Sequence, residues 1–280
     1  MTRPRLRLRA SIVLIAGVSV AAWYYTNQPK RRAKAIAATQ RLGGVVQLDE
    51  EYRPDWKPKS APRVDWTKSA DKWLGPGFAH DLSVINLDGR PVSDDSLRDL
   101  GGIKSLRRLY LNATPITGKG LIHLQGSPQL EILELRETRI SDAEPMPLLE
   151  LPSLRVLYLS DTRVGDLTLA RLARLARLEE LRLGHTSVSD DGLAHLAGLR
   201  ELRELKLNST RVTDAGLEHI AVFEKLEFLD LSHTAVTDLG LQKLFRLKEL
   251  RLVFLNGTRV SRAGGIALER ANPSVELVFD

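Results

Sequence analysis

Leucine returns every 24 residues from Leu82 onward, at Leu106, Leu130, Leu154, Leu178, Leu202, Leu226 and Leu250, without a slip. A fixed period of this size marks a chain built from stacked units, each touching only its neighbours. Counting the leucine as position 1, positions 4 and 6 are apolar in every unit, as in Leu181 and Leu183 or Leu205 and Leu207. Residues two apart share one side of a strand, so this pair predicts a short strand with an inward face. Position 11 is β-branched from Val92 to Val260, and positions 16, 19 and 22 recur at threes, as in Leu193, Leu196 and Leu199. That spacing fits the inner stripe of a short helix. Each unit therefore reads strand, turn, helix. Burying a leucine contributes roughly 1.5–3 kcal/mol, which the ordering of one unit consumes, so the stack folds and a single unit does not.

The polar positions are as regular. Threonine holds position 9 from Thr114 to Thr258, where its hydroxyl is expected to satisfy buried loop backbone. Ser or Thr at position 12 and Asp at position 13 (Asp142, Asp166, Asp190, Asp214, Asp238) fit an N-cap and a first-turn acid facing the helix dipole. Gly at position 15 (Gly120, Gly192, Gly216, Gly240, Gly264) reads as close packing between adjacent helices. The blocks TSVSDDGLAHL, TRVTDAGLEHI and TAVTDLGLQKL resemble the T-D-x-G-L form of leucine-rich repeats, in the ribonuclease-inhibitor-like and cysteine-containing subtypes. That resemblance covers residues 82–280: eight repeats and a terminal strand. It implies an α/β fold, a right-handed leucine-rich-repeat solenoid (horseshoe) with a parallel concave β-sheet and short convex helices. Threonine stands where the family usually has Asn or Cys. Repeat three departs, with Pro145 and Pro147 opposing a regular convex helix. Repeat eight has Arg262 and Gly265 at positions 13 and 16, and SVELVFD then supplies a last strand through Val275, Leu277 and Phe279.

Ahead of the repeats the pattern changes twice. Residues 10–25 (ASIVLIAGVSVAAWYY) carry no charge and lie between two clusters of four Lys or Arg. Spanning a bilayer takes about 17–25 residues, and arginines and interfacial aromatics extend a short segment. Residues 1–29 thus read as a signal anchor with one transmembrane helix, its N-terminus cytoplasmic and its repeats outside. A cleaved signal peptide, for which Ser19 and Ala21 supply small residues, is the alternative. Residues 30–81 read as a juxtamembrane helix stopped by Gly43-Gly44, a short strand at VVQLDEEY, and a proline-containing linker that gives the repeats reach. Trp56, Trp66 and Trp73, with Phe78, then form the expected cap over the first repeat. This layout resembles membrane-anchored bacterial leucine-rich repeat proteins.

Charge and composition narrow the job. The net charge is +6, yet eight of the 41 basic residues lie in residues 1–34, leaving 33 against 35 acids. The body therefore offers no basic face for nucleic acid. With no cysteine there is no disulfide, thiol nucleophile or Cys-based metal site. His185 and His233 share position 8 two repeats apart, roughly 10 Å across a sheet, too far for a hydrogen-bonded triad with Asp161 and Ser209. His195 and His219 pair on adjacent helices, with no third ligand in their register. No enzyme, no cofactor and no metal is expected.

What remains is the variable face. Positions 3, 5, 7 and 8 are not fixed by the repeat. Positions 3 and 5 offer Tyr110, Ile132, Val156 and Tyr158 toward one end and Phe228, Leu252 and Phe254 toward the other. Arg182 and Lys206 lie between, with Glu180 and Glu204. Exposed aromatics with flanking charge are common anchors of protein interfaces. These nine residues are the expected binding site for a protein partner, or for an envelope polymer. Self-association into an envelope scaffold through the repeat ends is the alternative, and an intracellular adaptor role fits less well.

Overall fold

The computed structural model describes residues 31, 33–48, 82–144 and 151–279. A single sheet of ten strands runs through it in chain order. These are β1 (Val45–Leu48), β2 (Leu82–Asn86), β3 (Arg108–Tyr110), β4 (Ile132–Glu134), β5 (Val156–Tyr158), β6 (Glu180–Arg182), β7 (Glu204–Lys206), β8 (Phe228–Asp230), β9 (Leu252–Phe254) and β10 (Glu276–Val278). From β2 to β10 all pairs are parallel and in register, so position 3 always meets position 3 and position 5 meets position 5. The ladder leucines are fully buried, as are positions 4 and 6 from Ile85 to Leu231, in one continuous core. The α/β solenoid read from the period is therefore the fold.

The opposite layer is made of short helices: α2 (Asp94–Leu97), α3 (Asp166–Leu172), α4 (Asp190–Ala194), α5 (Asp214–Ile220), α6 (Asp238–Leu241) and α7 (Arg262–Ala271). Repeat two forms only a 3-10 helix, Gly120–Gly126, which lacks a side-chain cap. It has Gly118 where the other helices start on an acid or on Arg262. The prolines of repeat three lie outside the described residues.

The fixed aspartates do more than face a dipole. Each reaches into the next repeat: Asp190 accepts from the Thr213 amide at 2.8 Å and its hydroxyl at 2.6 Å. Asp166 does the same to Ser189, Asp214 to Thr237 and Asp238 to Ser261. The position 15 glycines make room for that carboxylate, because a Cβ on Gly120 would lie 2.6 Å from Asp94 Oδ1. The same aspartate closes on Gly192, Gly216, Gly240 and Gly264. Repeat four has Thr168 in place of glycine, and its hydroxyl donates to the Asp142 carboxylate at 2.6 Å; the other exceptions follow the rule. Repeat two lacks the aspartate, and repeat three carries Glu144 instead of glycine; its carboxyl is held below the usual range by the Thr117 hydroxyl, despite some desolvation. Arg262 replaces aspartate where no further helical repeat follows within the described residues. Position 9 threonines bond the position 6 carbonyl three residues back, as Thr186 to Leu183 at 2.6 Å. Position 8 adopts positive φ in every repeat, from 53° at Ala113 to 65° at Gly89. The chain turns there while its amide still bonds the next repeat, as His185 N to Asn208 O at 2.8 Å.

At the N-terminal end the described residues add a helix and a strand to the first repeat. Residues 31 and 33–41 lie in helix α1, with Ala35 and Thr39 fully buried. Lys34 Nζ pairs with Asp99 of the first repeat at 2.8 Å. After a turn at Gly43, whose φ is 75°, β1 pairs antiparallel with β2. Helix and strand thus belong to the solenoid, and Ala35 and Val46 join its core. The proline-containing stretch connects two adjacent strands and gives the repeats no reach from α1. Residues 10–25 and the tryptophans lie outside the described residues. Among the described residues no helix is long and apolar enough to cross a membrane.

Candidate concave recognition face

Positions 3 and 5 alternate with the buried positions 4 and 6, so they project from the other side of the sheet. One row runs Arg108, Ile132, Val156, Glu180, Glu204, Phe228, Leu252, Glu276. The other runs Tyr110, Glu134, Tyr158, Arg182, Lys206, Asp230, Phe254, Val278. All nine predicted residues lie on these rows. Their accessibility differs in a way the pattern did not show.

Toward the N-terminal end the face is closed by its own hydrogen bonds. Asn112 donates to Glu134 at 2.8 Å, and its amide donates to Asp88 at 2.8 Å. Burial pushes the Asp88 carboxyl and the Tyr110 phenol up. Tyr110 and Tyr158 were expected as open aromatics; each is only 4% exposed. Neither has turned into the leucine core. Tyr158 is covered from its own side, with the Arg182 guanidinium 4.1 Å and that of Arg136 5.6 Å from its ring centroid. Its hydroxyl donates to Glu180 at 2.7 Å. Desolvation and that carboxylate hold the phenol far above its usual range.

The middle is a dense ion-pair cluster. Arg182 bridges Glu180 and Glu204, the latter at 3.0 Å, and Lys206 lies 3.5 Å from Glu204. Burial disfavours the charge on Arg182, but Tyr158, Glu180 and Glu204 outweigh it and raise its pKa. Glu204 is raised too, by burial first and then by the facing charge of Glu180. Here charges are held by one another.

In the C-terminal third the aromatics are half-buried rather than covered. The rings of Phe228 and Phe254 lie 5.4 Å apart, tilted by 40°. Lys206 Nζ sits 4.8 Å from the Phe228 centroid. Leu252 and Val278 are half-buried beside them. Sequence reasoning left Asp230, Glu276 and Val278 out of the site, although the period places all three on the two rows. It also missed Arg136, whose cover over Tyr158 depends on three adjacent repeats at once.

His185 and His233 lie at the positive-φ turn, exposed, beyond the strand ends. Among the described residues no three metal-ligating side chains of the His, Cys, Asp and Glu type come together.

Short parallel strands in register, a leucine core and a threonine-closed turn define the class: the fold is that of leucine-rich repeat proteins. The family profile described as Leucine Rich repeat matches residues 199–221 and 224–245. Internalin C2 of Listeria monocytogenes superposes with a TM-score of 0.58 at 21% identity, over 71% of this chain and 81% of that one. A leucine-rich repeat protein of Leptospira interrogans gives a TM-score of 0.47 at 19% identity, over 66% and 50% of the two chains. The first likeness shows the fold. Comparison with curated proteins gives no match.

Proposed function

We propose that this chain is a non-enzymatic recognition module, held at a membrane by residues 10–25, that binds a protein partner on its concave sheet. The observation that carries this reading is the contrast between two faces of the same strands. The inner face repeats leucine with only Ile85 and Val253 as aliphatic exceptions, while the concave rows change residue type at nearly every rung and carry a half-buried aromatic pair toward their C-terminal end. Constancy serves the stack; variation has no such role and suits a surface matched to a partner. The binding residues are Ile132, Val156, Arg182, Lys206, Phe228, Leu252 and Phe254, with Tyr110 and Tyr158 as buried supports beneath them. Since α1 already packs on the first repeat, only residues 26–30 separate the apolar segment from the solenoid. Five residues span at most about 18 Å, so the tether poses the repeats close to the bilayer. The test is photo-crosslinking in membranes from positions 156 and 254, compared with positions 167 and 239 on the convex side. Capture from the convex positions alone would sink the concave assignment.

A second reading rests on β10, which pairs with β9 and has no other strand beside it among the described residues. An unpaired edge can add a strand from another copy, giving an envelope scaffold. Light scattering of the full chain in detergent separates the two: a single particle mass across a hundred-fold dilution eliminates the scaffold.

A further inference from the structure

The concave acids divide into two groups. Glu134, Glu180 and Glu204 are bonded to side chains of their own face. Asp230 and Glu276 are not: among the described residues neither has an ion-pair partner, and the Asp230 carboxylate accepts only from the Ser232 amide, at 2.9 Å. Both flank the half-buried aromatic pair at the C-terminal end of the face. Asp230 lies directly across from Phe254, and Glu276 directly across from Leu252. Paired positions on adjacent strands are about 4.8 Å apart, which puts the Asp230 carboxylate beside Phe254, while Glu276 approaches the same ring diagonally from the next strand. Aromatic faces attract cations, and Phe228 already has Lys206 at 4.8 Å. That lysine is shared with Glu204. Phe254 has no cation of its own among the described residues.

Resting on the concave-face reading above, we propose that repeats seven and eight with β10 form a subsite for a basic residue of the partner protein. An arginine beside an aliphatic residue is the segment that fits. Its planar guanidinium stacks on Phe254 and reaches Asp230 and Glu276, while the aliphatic neighbour covers Leu252 and Val278. The rest of the face repels no such segment, because its charges are neutralised in place. The partner is thereby specified by chemistry: a surface loop or strand carrying an arginine next to a Leu, Ile or Val.

The experiment uses the full chain in detergent micelles, with phenylalanine replaced by 4-fluorophenylalanine and the resonances of Phe228 and Phe254 assigned through Phe→Leu variants. Three blocked tripeptides are titrated, Leu-Arg-Leu, Leu-citrulline-Leu and Leu-Glu-Leu, and binding is read from the fluorine shifts. The arginine peptide is expected to move both resonances with an affinity about ten-fold or more above the citrulline peptide. Asp230→Asn with Glu276→Gln is expected to remove that advantage without shifting the unliganded Phe228 signal appreciably. Equal affinity for arginine and citrulline peptides overturns the cation subsite and leaves the concave reading standing. Preference for the glutamate peptide overturns the cation subsite as well. No movement of either resonance with any peptide also overturns the subsite, whereas failure of the concave face as a whole is read separately, from the membrane crosslinks.

Discussion

A fixed residue in a repeat owes its constancy to a neighbour one unit away as often as to its own unit. Asp190 and Gly216 show this. The carboxylate bonds Thr213 twice, and the glycine leaves the space it occupies. Asp190→Ala is expected to cost about 1–3 kcal/mol, because the Thr213 amide loses its partner in a half-buried joint. Gly216→Ala alone is expected to be destabilising, since its Cβ meets that carboxylate. Together the two changes should cost clearly less than their sum, as removing the carboxylate frees the space. Additive denaturant midpoints for the double-mutant cycle would refute the clamp. A second residue-scale expectation concerns pH. Glu204 has its pKa raised in the folded protein, by burial and by Glu180, so folding favours its protonated form. The stability this gives is full below the unfolded value of 4.5 and is lost as pH rises through the folded one. Glu204→Gln should therefore be the more stable form at neutral pH, and the gap should close as pH falls below 4.5. Melting curves at several pH values would show it, and a gap that widens in acid contradicts the account.

Elements in this chain are too short to stand alone, and their boundaries were set by what packs on them. Strands of three residues gain their order from two flanking rungs. Helix α1 was legible from Ala35, Ile36, Ala38 and Leu42, but its place was not. The same apolar spacing serves a free juxtamembrane helix or a docked cap. Docking is decided by Leu82 and the other residues of the first repeat that α1 and β1 cover. Ala35→Glu puts a charge at a fully buried point of this joint, and is expected to lower stability by several kcal/mol. A thermal melt indistinguishable from the parent would mean that the helix is not part of the folded unit. At the far end, Gly265 stands where earlier repeats have an apolar residue, because Phe279, just after β10, fills the space 2.6 Å from its would-be Cβ. The sequence showed that departure without its cause, which is a contact across fourteen residues of chain.

At the scale of the whole molecule, stability is carried by contacts between neighbouring rungs, so damage to one rung spreads. Leu183 is fully buried in the middle of the stack. Leu183→Asp leaves an unpaired charge among leucines on both sides and is expected to unfold the array; Leu183→Ala should cost about 2–5 kcal/mol and leave it folded. Far-UV circular dichroism during heating distinguishes these, and a folded, parent-like Asp variant would contradict the rung model. The concave face also takes its character at this scale. Which rows form the face was legible from the alternation of positions 3 to 6, and the half-buried pair Phe228 and Phe254 was among the residues chosen. That Tyr110 and Tyr158 are covered was not legible. Parallel strands in register lay Arg136 and Arg182, each from a neighbouring repeat, over a single ring.

The 24-residue period alone determined the architecture, because a unit that cannot bury its own leucines has no stable alternative to stacking. It also determined which side of each strand is free to vary. Tertiary structure alone decided how that free side is spent: which charges neutralise each other, which aromatics are roofed over, and where two acids and two phenylalanines are left facing outward. The reason is physical. Burial of an apolar ladder depends on residue type at fixed spacing, which one strand of text records. Pairing and cover depend on distances between residues a full repeat apart, and these exist only once the rungs are stacked.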